Sequence, residues 1–249
     1  MNKRSLFLLS IALGLMSCKE GNQQTADTQD QTPDQMTDTS KTKEWKTLFD
    51  GKDLNNWKAY NGEEITQWSI EDSAIAFIPA AGEREGSENL ITKEDFTNFE
   101  LSLEWKISEG GNSGIMWGVQ ESEEFSEPYY TGPEIQVLDN ELHPDAKNGP
   151  IRQAGALYDL SEPIDDVTKP AGEWNAMTIR IDYRKNQGTV ILNGKKINEF
   201  PLKGEEWENL VENSKFRDWE DFGRYQTGRI ALQDHGDRVW YRNIKIREL

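Results

Sequence analysis

The sequence predicts an all-β fold, a two-sheet jelly-roll sandwich with one short helix, and three observations carry that expectation. Several segments alternate apolar and polar residues, the period of a half-buried strand. Strands follow one another without the intervening helices that a parallel sheet needs. No repeat of roughly 20–50 residues is visible, which sets propellers and solenoids aside. The 9 Trp and 20 Gly suit a β-rich domain with tight turns.

From the N-terminus, Lys3 and Arg4 precede the apolar run Leu6 to Met16. That run is too short to span a bilayer, which takes about 20 residues. Leu15-Met16-Ser17-Cys18 reads as a lipobox, so residues 1–18 are expected to be a lipoprotein signal peptide with the lipid on Cys18. The expected location is the periplasmic or cell-surface face of the outer membrane, held by that lipid anchor. Residues 19–43, rich in Gln, Thr and Asp, cannot bury enough apolar area to order themselves and read as a tether. Its reach would be roughly 25–30 Å. Residues 44–249 then make one domain.

Within it, Phe99, Leu101, Leu103, Trp105 and Ile107 alternate with polar residues, a strand with one wet face. Met177, Ile179, Ile181 and Tyr183 do the same. The strand Thr189 to Leu192 runs into Asn193-Gly194, the strongest short hairpin signal. Further strands are predicted over Gln67–Ile70, Ala74–Ile78, Gly114–Gln120, Glu134–Leu138, Ala154–Leu160, Arg229–Gln233 and Val239–Arg247. Trp207, Leu210 and Val211 share one face of a helix over Glu205–Asn213.

Charge narrows the function. With 28 Lys and Arg against 45 Asp and Glu, the net charge is -17, the wrong sign for a nucleic-acid backbone or for electrostatic docking on anionic lipid. One Cys and two His exclude an intrachain disulfide framework and single-chain zinc sites of four Cys, two Cys with two His, or three His.

Polar residues gather in four segments: Gly110–Ile115, Gly132–Asn140 with His143 beyond it, Gln153–Asp159, and Leu232–Gly236 leading into Arg242 and Asn243. On a strand, Glu134 and Gln136 point to one face while Ile135 and Val137 point into the core. An acid beside an amide suits a carbohydrate: the amide binds hydroxyls and the acid moves a proton. His143 and His235 both fall in these segments, and either could act as acid or base. With Glu134, Asp139 or Asp234 they could also hold a divalent metal, although the spacing specifies no geometry. Trp117 or Trp240 could stack on a sugar ring.

These segments, GNSGI, GPEIQVLDN with its downstream His, GALYDL, GEWN, LNGKKI and LQDHGDRVWYRNIKI, resemble the 3-keto-disaccharide hydrolase family over about Trp45 to Leu249. The resemblance implies a concanavalin A-like, glucanase-type jelly roll. It also implies site residues at Asn112, Glu134, Gln136, Asp139, His143, Gln233, Asp234, His235 and Arg242, without fixing their roles. The implied substrate is a 3-keto-glycoside, and an upstream sugar C3 oxidoreductase would supply the ketone. A ketone at C3 acidifies the C2 hydrogen, so a base can remove it and the C1 oxygen can leave. That chemistry asks for one base, one acid and donors for the developing oxyanion. The assignment expected here is His235 or Glu134 as base and acid, Asp234 orienting His235, and Asn112, Gln136 and Arg242 polarising the sugar. A retaining glucanase instead needs two carboxylates about 5–5.5 Å apart, and the same-face partner of Glu134 is an amide. A lectin-like binding module with the same polar face is the other reading.

Overall fold

The period-two pattern over residues 99–107 forms a strand with the expected bounds, its apolar side chains buried and the intervening ones half-buried. The computed structural model describes residues 43–62, 64–79 and 86–249, all within the unit Lys41–Leu249. The expected signal peptide with Cys18 and the expected tether, apart from its last residue, lie outside the described residues. Among the described residues no helix is long and apolar enough to cross a membrane.

In chain order the strands are β1 (Lys46–Phe49), β2 (Trp57–Ala59), β3 (Trp68–Glu71), β4 (Ala74–Phe77), β5 (Leu90–Thr92), β6 (Phe99–Ile107), β7 (Asn112–Val119) and β8 (Glu134–Leu138). They continue with β9 (Asn175–Asp182), β10 (Gln187–Leu192), β11 (Lys195–Phe200), the helix α1 (Gly204–Glu212), β12 (Arg229–Leu232) and β13 (Val239–Glu248). Among the described residues they form two antiparallel sheets. The larger runs β11-β10-β9-β6-β13-β4-β3 with β1 also on β13; the smaller runs β2-β5-β12-β7-β8. Inner-face residues of β6 and β9 join Ile115, Trp117, Ile135 and Val137 of the smaller sheet in one buried cluster. This is the sandwich the sequence predicts.

Local chemistry explains the joints. Asn193 and Gly194 both have positive φ, 49° and 83°, which a two-residue primed turn between β10 and β11 requires. Helix α1 buries Trp207 and packs Leu210 and Val211 against the core. One expected strand fails to form: residues 154–160 make turns, with isolated bridges from Leu157 to Ile135 and Ser161. Gly155 and Asp159, at φ 83° and 59°, break the extended run. The segment still lies along β8, because Gly155 N donates to Gln136 O, Gln136 N to Ala156 O and Tyr158 N to Glu134 O, at 2.9–3.0 Å.

The smaller sheet has a second apolar cluster on the face turned away from the core: Ile91, Met116, Val119 and Ala231, with Tyr60 and Tyr129 against it. By the strand period that same face carries Asn112 and Gly114 on β7 and Glu134 and Gln136 on β8. These candidate residues therefore stand on a sheet whose other side is the core.

Candidate active site

A cavity of about 440 Å³ opens over this platform, within the size range of small-molecule sites. Asn112, Glu134 and Gln136 form its floor, Gln233 and His235 enter from the chain after β12, and His143 and Asp145 from the loop after β8. Tyr129, Phe216, Trp219 and Phe222 make an aromatic wall, and Tyr158 and Lys215 complete the lining. Phe216 and Phe222 stack at 3.9 Å between ring centroids, and Trp219 meets Phe216 edge-on at 5.2 Å.

Glu134 is buried, 9% exposed. Its carboxyl group occupies space that a side chain at residue 114 would fill, since a Cβ on Gly114 would lie 1.9 Å from Glu134 Oε1. Among the described residues no group hydrogen-bonds that carboxyl. Burial pushes its pKa up to about 8; the Lys215 charge pulls it down and Asp145 pushes it further up. Glu134 is therefore mainly protonated at neutral pH.

The amides are arranged around it. Gln136 Nε2 donates to Asn112 Oδ1 at 3.1 Å, while Gln136 Oε1 and Gln233 Oε1 are buried without a partner among the described residues. An unpaired buried acceptor is costly, and a hydrogen-bond donor entering the cavity would satisfy it.

The two histidines meet edge to face, ring centroids 6.3 Å apart. His143 Nδ1 accepts from Asp145 N at 3.1 Å, so in the neutral ring the proton sits on Nε2. His235 is half exposed, with Nδ1 3.9 Å from Asp237 Oδ2; Asp237 also accepts from Asn112 N at 3.1 Å. Asp145 accepts from Tyr158 Oη, Asn148 Nδ2 and Arg152 Nη1 at 2.7, 2.8 and 3.1 Å. Burial raises its pKa, but these hydrogen bonds outweigh that and hold it below the usual carboxylate range.

Of the expected residues, Asn112, Glu134, Gln136, His143, Gln233 and His235 converge on the cavity, and four lie elsewhere. Asp139 stands in the turn after β8 and accepts backbone N–H from Gly110, Glu141 and Leu142. Asp234 accepts from Glu88 N and Gly236 N, which organises its loop; Asp237 is the carboxylate beside His235. Trp117 points into the core, where its indole N–H donates to Tyr183 Oη at 3.2 Å and its ring stacks on Phe200. Arg242 lies on β13 in the other sheet, bound to Glu104 Oε2 at 2.6–2.8 Å, with its guanidinium 4.0 Å from the Trp174 ring centroid. Trp240, also on β13, donates to Glu71 and carries Lys106 over its ring.

With Asp139 and Asp234 engaged by backbone, no group of three or more His, Cys, Asp or Glu among the described residues could hold a metal ion. The sequence reading missed Tyr129, Asp145, Tyr158, Lys215 and the aromatic wall. The available signal was the spacing of Phe216, Trp219 and Phe222 within a charged segment, because aromatics three apart in polar sequence need something to cover.

Residues 44–247 match the 3-keto-alpha-glucoside-1,2-lyase-like domain. Over 230 residues the chain is 39% identical to a 3-keto-disaccharide hydrolase of Bacteroides thetaiotaomicron, an alignment covering 82% of this chain and 78% of that one. A crystal structure of a candidate glycosyl hydrolase from Parabacteroides distasonis has a TM-score of 0.75 at 31% identity, covering 82% of this chain and 94% of the other. A second structure of that description from the same organism gives 0.62 at 31% identity, covering 83% and 100%. The chain belongs to the family of 3-keto-alpha-glucoside-1,2-lyase-like domains.

Proposed function

We propose that the protein cleaves glycosides already oxidised to a ketone at C3, removing the C2 proton and then eliminating the C1 oxygen. The observation that carries this reading is Glu134, a buried carboxyl group set into the cavity floor beside two histidines and three amides. In the first step a base takes the C2 hydrogen, and its electron pair forms the C2–C3 double bond with charge on the C3 oxygen. In the second the C3 carbonyl re-forms, the C2–C3 pair moves to make a C1–C2 double bond, and the C1–O bond breaks. Glu134 gives its proton to the leaving oxygen, a role suited to an acid that stays neutral near pH 7. His235, half exposed at the cavity, takes the C2 hydrogen. Asn112, Gln136 and Gln233 bind hydroxyls, and His143 donates from Nε2. Water then adds to C1 as a proton returns to C2.

Direct displacement at C1 is less well supported. The other carboxylate among the described lining residues, Asp145, is held by three donors and is a poor nucleophile. Since the substrate carries a ketone at C3, a sugar C3 oxidoreductase must supply it. A lipid on Cys18 would hold the domain at the outer membrane, and Cys18→Ala should then move the protein from the membrane to the soluble fraction; unchanged retention would refute the anchor.

The decisive experiment offers the purified protein a 3-keto-glucoside and the matching unoxidised glucoside in deuterated water. Only the keto compound should be cleaved, with deuterium at C2 of the sugar product. Cleavage of the unoxidised glucoside would overturn the keto requirement. Keto-sugar product with C2 free of solvent deuterium would overturn elimination.

A further inference from the structure

Elimination places a negative charge on the C3 oxygen, in a cavity that already contains the Asp145 carboxylate and in a protein of net charge -17. Among the described lining residues, Lys215 is the single Lys or Arg. Its ammonium lies 4.2 Å from the Tyr158 ring centroid and 5.0 Å from that of Phe216, and among the described residues no carboxylate forms an ion pair with it. The surrounding turn fixes its origin: Lys215 N donates to Asp159 Oδ2 at 2.9 Å, and Phe216 N donates to Ser214 Oγ at 3.0 Å. Lys215 is exposed overall, yet desolvation of its ammonium holds it below the usual lysine range, against the opposing pull of Glu134, Asp159 and Asp145. A cation seated on aromatic faces and left without a carboxylate partner is prepared for an anion that appears only during reaction.

Building on the elimination reading above, we propose that Lys215 is a catalytic residue whose ammonium receives the C3 oxygen of the keto sugar and holds the charge of the enediolate. Lys215 keeps its protons throughout. The electron pair from the C2–H bond passes to the C3 oxygen beside it and returns when the C1 oxygen leaves with the Glu134 proton. The cation thus serves proton abstraction, whereas Glu134 serves bond cleavage, and the two roles separate experimentally.

The test measures kcat, KM and C2 deuterium exchange for wild type, Lys215→Met, Lys215→Arg and Glu134→Gln, on 3-keto-glucosides with a poor (alkyl) and a good (4-nitrophenyl) leaving group. Lys215→Met should lower kcat on the order of 10²-fold and lower exchange equally. Its loss should be the same for both leaving groups, and Lys215→Arg should recover part of the rate. The Glu134→Gln loss should shrink with the good leaving group. Lys215→Gln gives the same readout should the methionine variant melt early. If wild type cleaves and exchanges while Lys215→Met does so at a similar rate, the assignment to Lys215 fails and the elimination reading stands. If wild type neither cleaves nor exchanges, the elimination reading itself fails. A borohydride-trapped sugar adduct on Lys215 would overturn the charge-only role.

Discussion

Gly114 and Glu134 share one volume: the carboxyl group of Glu134 rests where a residue at 114 would place its Cβ, 1.9 Å from Oε1 and 2.5 Å from Cδ. Gly114 pairs with Gln136 across β7 and β8, so both partner-strand side chains that define the cavity floor depend on this glycine.

Gly114→Ala should therefore displace the Glu134 carboxyl without unfolding the sheet, because the contact falls on the far end of a flexible side chain. Overpacking of this kind costs about 1–3 kcal/mol. Displacing an acid from its working position should lower kcat/KM on the order of 10²-fold. Melting curves and kinetics on a 3-keto-glucoside check both parts; unchanged kcat/KM would show that the carboxyl position is not critical.

The raised pKa of Glu134 makes stability depend on pH. The folded value, about 8, lies above the ordinary 4.5, so the folded state holds the proton more tightly than the unfolded chain. That contribution is complete below the unfolded value and disappears as pH rises through about 8. Glu134→Gln should melt higher than wild type at pH 9 and close to it at pH 4, while losing activity on the order of 10²-fold. An unchanged difference in melting temperature between these pH values would contradict the buried, protonated state.

Arg242 lies away from the cavity, and its substitution separates the sequence reading from the structural one. Its ion pair with Glu104 is partly exposed, 34% and 29% by side chain, and such pairs contribute about 1 kcal/mol or less. Arg242→Ala should leave kcat/KM within a few-fold of wild type and lower the melting temperature slightly. A loss of 10²-fold or more, with the fold intact, would return Arg242 to the site.

Trp219 is half-buried and contributes to the aromatic wall with Tyr129 and Phe216. If the leaving group packs there, Trp219→Ala should raise KM roughly tenfold with a smaller change in kcat. Equal KM for the variant would place the leaving group elsewhere.

The parts of the fold legible in sequence are those set by local rules. The β6 strand follows from its period, the β10–β11 turn from Asn193-Gly194, and the common face of Glu134 and Gln136 from alternation. Turns hid the rest. Residues 154–160 alternate well enough to read as a strand, yet two positive-φ positions curl them. Lys215 and the aromatic wall reach the cavity through the long-range path of the chain after α1, which the spacing of Phe216, Trp219 and Phe222 hints at but does not place. Asp139 and Asp234 have the residue type for chemistry but are taken by backbone N–H groups, which sequence spacing does not reveal. Arg242 belongs to the motif LQDHGDRVWYRNIKI, and the chain crosses to the opposite sheet between its first half and its last.

The placement of β8 at the end of the smaller sheet has a consequence for association between molecules. A terminal strand with a free row of N–H and C=O groups is a template on which another chain can add itself. Here residues 155–158 occupy that row, taking Gln136 N, Gln136 O and Glu134 O. Because that cover is a set of turns, it does not extend the sheet with another regular strand. The strand bearing the acid can thus line an open cavity while its own backbone is closed to intermolecular pairing.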